Sequence, residues 1–166
     1  NRYIIGQWFW ELEEFPQQYH VGYQYVNELW ASTRFIQKTI SKHAPKHIKI
    51  IHMPLPLLPP EVNESITRDN FNISNDRFMF LFTFDFCSTT ARKNPQGVIK
   101  AFKQAFIENE GPILVIKSVN NHHFPGQLEG LMSYAEGRKD ILFFGGHFDH
   151  SLVSSLRNLC DCYVSL

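Results

Sequence analysis

Arg92 and Lys93 are the residues whose type and placement say most about chemistry. They stand directly ahead of Asn94-Pro95, a good helix N-cap followed by a residue suited to the first helical position. Backbone N–H groups and the dipole at a helix N-terminus favour an anion, so two cations beside one point to a phosphate-bearing ligand. A lysine there is worth ~0.3–1 kcal/mol to an exposed anion and more to a desolvated one. Lys117 closes a strongly apolar run, at the strand edge where open α/β sheets bind ligands; a lysine there can equally snorkel to water. Trp8, Trp10 and Glu11 form the one aromatic–carboxylate cluster. Sugars stack on indole faces and hydrogen-bond to carboxylates, whereas a core or interface anchor is the commoner use of tryptophan. His122-His123 are adjacent, and zinc sites need three or four converging ligands, so a loop pair is the simpler reading.

The elements that must position these groups are read from periodicity and punctuation. Residues 78–86 are a near-continuous aromatic run, as a strand covered on both faces should be. A short loop follows, carrying Asp85, Ser88 and Thr89 as turn or cap formers. A helix over 95–107 then places Val98, Phe102, Ala105 and Phe106 on one face. Strands over 112–117 and 141–144, a helix over 124–136, and a strand beginning at Cys162 continue the alternation. Gly145-Gly146 closes the 141–144 strand. Asp149 caps a helix that turns Leu152, Val153, Leu156 and Leu159 inward. Upstream, strands over 2–6, 28–32 and 47–52 alternate with helices over 17–26 and 33–42, the second capped by Ser32. Four prolines between Met53 and Pro60, then a polar stretch, exclude a helix or central strand and mark a linker over 54–76. The expected organisation is two Rossmann-like parallel α/β sheets, in 1–53 and 77–166.

Composition narrows the classes. Lys+Arg and Asp+Glu are equal at 16 each, which leaves no global pull toward nucleic acid, so any anion site must be local. Three cysteines without framework spacing fit a reducing, cytoplasmic setting. No run of about 18 apolar residues is present. The 15 phenylalanines imply a dense aromatic core or an interface without its partner.

The stretch Arg92-Lys93-Asn94-Pro95 leading into Ile99-Lys100-Ala101-Phe102, preceded by the aromatic strand, resembles the start of the C-terminal domain in family 4 retaining glycosyltransferases of the GT-B fold, nearest to bacterial polysaccharide enzymes. Asp161-Cys-Tyr-Val-Ser-Leu166, Gly6-Gln-Trp-Phe-Trp-Glu11 and Leu29-Trp-Ala-Ser-Thr-Arg-Phe35 are similar to further family patterns. The resemblance implies the end of an N-terminal domain, a linker and the first half of a C-terminal donor domain, an internal piece of a longer protein. It matches Lys93 to the lysine that contacts the donor diphosphate, with Arg92 less certain and Lys117 a candidate for pyrophosphate or sugar. It puts Gly146, His147 and Phe148 where a loop frames the nucleotide base, against the plainer reading of a turn capped by Asp149. Trp10 and Glu11 fall on the acceptor side.

The implied activity is retaining transfer of a sugar from a nucleoside-diphosphate sugar to a glycan or sugar hydroxyl. No cofactor and no obligatory metal are implied. The expected partners are a nucleotide-sugar donor and a glycan acceptor, without nucleic acid; peripheral membrane association and homodimerisation stay open. Two departures qualify the match. Asp85 and its neighbours occupy the turn where many members carry an arginine, and no two glutamates have the family's Glu-x7-Glu spacing. The segment alone is expected to be inactive. The alternatives are another GT-B enzyme, such as a nucleotide-sugar epimerase, and a non-catalytic module that kept the fold.

Overall fold

The computed structural model describes residues 2–166. They form two compact units, one reaching to Leu58 and one from Pro59 to Leu166.

The first unit is a parallel sheet of β1 (Ile5–Trp8), β2 (Glu28–Ala31) and β3 (Lys49–His52) in that order. Helix α1 (Arg34–Ser41) links β2 to β3. Its cap is Thr33 rather than the expected Ser32: Thr33 is extended, and its Oγ1 accepts from the Ile36 amide at 3.1 Å. The expected helix over 17–26 is a 3-10 helix, Gln17–Tyr25. Gly22 lies so close to the Trp8 ring that an added Cβ would meet it at 2.9 Å. Tyr23 is buried and donates to the Ile40 carbonyl at 2.9 Å; burial raises its pKa to about 12. Leu29, Ala31, Ile36, Ile40 and Phe15 complete this core.

The second unit is a four-stranded parallel sheet of β4 (Met79–Asp85), β5 (Ile113–Val119), β6 (Ile141–Phe144) and β7 (Cys162–Tyr163), in the order β6-β5-β4-β7. Its helices are α2 (Thr90–Lys93), α3 (Pro95–Ala105), α4 (Pro125–Tyr134) and α5 (His150–Leu159). Alternation along β4 serves both faces, because successive strand side chains point to opposite sides. Phe82 and Phe84 pack with Leu114, Ile116 and the α3–α4 residues Val98, Ile99, Phe102 and Leu131. Met79 and Leu81 pack with Ile113, Val115 and Leu156 of α5 on the other face. Burial on both faces is why β4 reads as an unbroken apolar run. The strand order reverses between β4 and β7, which makes the C-terminal ends of these strands a topological switch point.

The stretch expected as a linker over 54–76 is not uniform. Leu57 and Leu58 are 89% exposed, but Phe71 and Ile73 are buried against the second sheet. Arg68 is buried too and donates to the Leu159 and Arg77 carbonyls and to Asp161 at 2.7 Å. Polar neighbours hide these anchors in the sequence; in the structure they stitch the segment to the second unit.

Candidate functional site

A pocket of about 430 Å³ opens at that switch point. Thr83 and Asp85 come from the end of β4, Ser88, Arg92 and Lys93 from the loop and α2 that follow, and Lys117 from β5. Val153 and Arg157 of α5 and Tyr163 of β7 close it. Arg92, Lys93 and Lys117, widely separated in sequence, thus line one cavity.

Lys117 is 3% exposed, so it does not snorkel. Strand register pairs it with Thr83, placing it on the α5 side of the sheet. Its Nζ donates to the Ser118 and Gly146 carbonyls at 2.7 and 2.6 Å and lies 4.3 Å from the centre of the Phe148 ring. An ammonium has three donors, and the third has no hydrogen-bond partner among the described residues. Among the described residues, no carboxylate pairs with it. Burial therefore pushes its pKa below the ordinary lysine value. A buried cation without a counter-ion is costly and is relieved by an anion.

Arg92 and Lys93 are not in an open loop as expected. They form the last turn of the short helix α2, where cations suit the carbonyl end of the dipole. Asn94 then takes the left-handed conformation, φ 50°, ending α2 while capping α3 by accepting from the Gly97 amide at 3.1 Å. This arrangement weakens the helix-terminus argument. Pro95 has no N–H and Gly97 already serves Asn94, so the start of α3 offers little free backbone donation. An anion would be held mainly by side chains. Arg92 donates to Ser88 Oγ at 2.7 Å, which aligns it along the pocket rim, and Lys93 has no ion pair among the described residues.

Asp85 is the pocket's one carboxylate. Its Oδ1 accepts from Asn120 Nδ2 at 2.7 Å and from the Cys87 amide at 2.8 Å. The Asn120 bond, with the backbone bond second, holds its carboxyl below the usual carboxylate range. It remains ionised and tied to the loop, the turn-forming role open to it from the sequence.

The β6–α5 loop adjoins this pocket through Lys117. Gly146, at φ 83°, accepts from Lys117 and donates its amide to Asn121 Oδ1 at 2.7 Å. Phe148 turns inward against Phe71 and Phe144, and His147 is exposed. Asp149 caps α5 by accepting from the Leu152 amide at 2.7 Å, as expected. Gly146, His147 and Phe148 are therefore next to Lys117 but do not line the cationic cavity itself.

Two solved structures share this architecture. A glycosyltransferase from Rickettsia africae ESF-5 superposes with a TM-score of 0.62 at 14% identity, covering 97% of this chain and 44% of that one. Anabaena HepE, solved in complex with UDP and glucose, gives 0.52 at 11% identity, covering 98% and 45%. The chain shares the parallel α/β fold of these two structures. It spans less than half the length of either structure. No protein-family profile and no curated protein matches it.

Trp10 and Glu11 lie in the first unit and line a shallow hollow of about 280 Å³ with Phe9 and Leu12. Trp10 donates its indole N–H to the Glu14 carbonyl at 2.8 Å and packs edge-on against Phe15, so one face of its role is structural; Glu11 is exposed. Among the described residues, no group of three or more His, Cys, Asp or Glu side chains is arranged to hold a metal, and no helix is long and apolar enough to cross a membrane. Arg157, Thr83 and Tyr163 were not foreseen as pocket residues. Arg157 follows Val153 by four positions, the spacing of one helix face, and that spacing was its available signal.

Proposed function

We propose that the protein carrying this chain is a glycosyltransferase that moves a sugar from a nucleoside-diphosphate sugar to a glycan or sugar hydroxyl with retention. The observation that carries the reading is the cationic pocket at the switch point of a glycosyltransferase-fold sheet, floored by a buried lysine that lacks a counter-ion. Breaking a glycosidic bond to a diphosphate leaves negative charge on the departing oxygens. Cations fixed in advance at that position lower the barrier without reorganising. Lys93, Arg92 and Lys117 are the residues assigned to that task, with Asp85 held aside by Asn120 and the Cys87 amide. Gly146, His147 and Phe148 are assigned to the base side, and Trp10 and Glu11 to the acceptor. The UDP and glucose bound by HepE are consistent with a nucleotide sugar as donor. Charge stabilisation in this scheme comes from side chains, without an obligatory metal.

The test is turnover by the full-length protein with UDP-, GDP- and ADP-sugars, followed by nucleoside diphosphate release and by NMR of the product anomer. Release with one nucleotide, and a product of the same anomeric configuration as the donor, is expected. Donor binding without release under all acceptors tried would favour the non-catalytic module, a reading that ionised Asp85 inside the pocket keeps in view.

A further inference from the structure

We propose that Arg157 is an anion-binding residue of the same pocket, gripping the phosphates of the ligand from α5 while Arg92 and Lys93 approach from α2. The inference rests on the donor reading above and extends it to a residue on a different element.

Three observations converge on Arg157. It lines the cavity from α5, together with Val153 one turn earlier, whereas Arg92 and Lys93 line it from α2. It makes no ion pair and no side-chain hydrogen bond among the described residues, unlike Arg68 and Arg138, which are each fully engaged with a carboxylate. The cavity it enters holds four cationic residues, Arg92, Lys93, Lys117 and Arg157, against the single carboxylate of Asp85. Placement near the carbonyl end of α5 already favours a cation, which accounts for an arginine on that turn. It does not account for a guanidinium left unpaired over a pocket with three other cations, where like charges repel. A multiply charged anion relieves that repulsion most effectively.

A diphosphate matches the arrangement better than a single carboxylate. It carries two charged groups, and a planar guanidinium can take two oxygens of one phosphate in parallel while the cations of α2 hold the other. Lys117 of β5 lines the same cavity, with a third donor that has no partner among the described residues. The cavity of about 430 Å³ is in the ordinary range for small-ligand sites. Val153 supplies an apolar flank that keeps water from one side of the anion.

The experiment is calorimetric titration of inorganic pyrophosphate, UDP and uridine into the full-length protein and its Arg157→Gln and Arg157→Lys variants. Arg157 is exposed on a helix, so glutamine removes the charge while keeping a polar side chain of good helix propensity, and the fold is checked by circular dichroism. Loss of a charged hydrogen-bonding pair predicts that pyrophosphate and UDP bind about tenfold more weakly to Arg157→Gln, with a smaller loss for Arg157→Lys. Any affinity for uridine should be unchanged. If the parent binds both phosphates and Arg157→Gln binds them equally well, this assignment is wrong while the donor site stands. If the parent binds neither pyrophosphate nor UDP, the donor reading fails and takes Arg157 with it. An equal loss for uridine also overturns the proposal, since it would show a distorted pocket rather than a missing phosphate contact.

Discussion

At the scale of single residues, Lys117 decides what kind of pocket this is. Its ammonium is stripped of water, bound to two carbonyls and unopposed by a carboxylate. Burial lowers its pKa, so its charge is lost, as pH rises, earlier than that of an ordinary lysine. An anion bound there should weaken over the same interval. Diphosphate affinity is therefore expected to fall as pH rises, before exposed lysines begin to titrate near their ordinary value of about 10.4. Lys117→Met should bind more weakly and lose this early phase of the profile. Calorimetry across that range checks it, and parallel profiles for parent and variant would contradict it. Arg92, Lys93 and Lys117 were legible in the sequence because cations next to a helix start or a strand end are unusual and easily noticed. Arg157 was not, because α5 reads by its apolar positions, and Val153, grouped there with the inward residues, turns out to face the pocket.

At the scale of elements, the junction of α2 and α3 sets where Lys93 points. Asn94 does two jobs in one left-handed residue: it stops α2 and caps α3. Gly97 has to be small here, since a Cβ would come within 2.4 Å of the Asn94 side chain. Asn94→Ala should cost about 2 kcal/mol, from the lost cap and the penalty of a left-handed alanine. Asn94→Gly should cost less, because glycine takes that conformation freely and loses only the cap. Urea denaturation of the two variants tests the order; equal losses would mean that the backbone conformation is not what Asn94 supplies. The cap and the Pro95 start were plain in the sequence. The extra turn over Thr90–Lys93 was not: four residues are too few for a periodic signal, and only the chain reversal at Asn94 reveals it.

At the scale of the whole molecule, alternating strand and helix signals were enough to give two parallel α/β sheets, because β4 and β5 are long apolar runs and α1, α3 and α5 each carry a side-chain cap. The Pro-rich stretch marked the division near Leu58 for a backbone reason, the missing N–H groups. What composition obscured was the polar segment after it. Phe71 and Ile73 are too few among Asn, Asp and Ser to show that this segment covers the second sheet. The switch point between β4 and β7 depends on strand order, which a local pattern does not contain, yet it is what brings Lys93 and Lys117 into one cavity. The central claim is that this cavity holds the diphosphate of a nucleotide. Its most direct test is calorimetric titration of UDP, GDP and ADP into the full-length protein and its Lys93→Ala variant. Selective binding of one nucleotide, at least several-fold weaker in the variant, is the result predicted. A folded protein that binds none of the three, or a variant that binds as tightly as the parent, would contradict it.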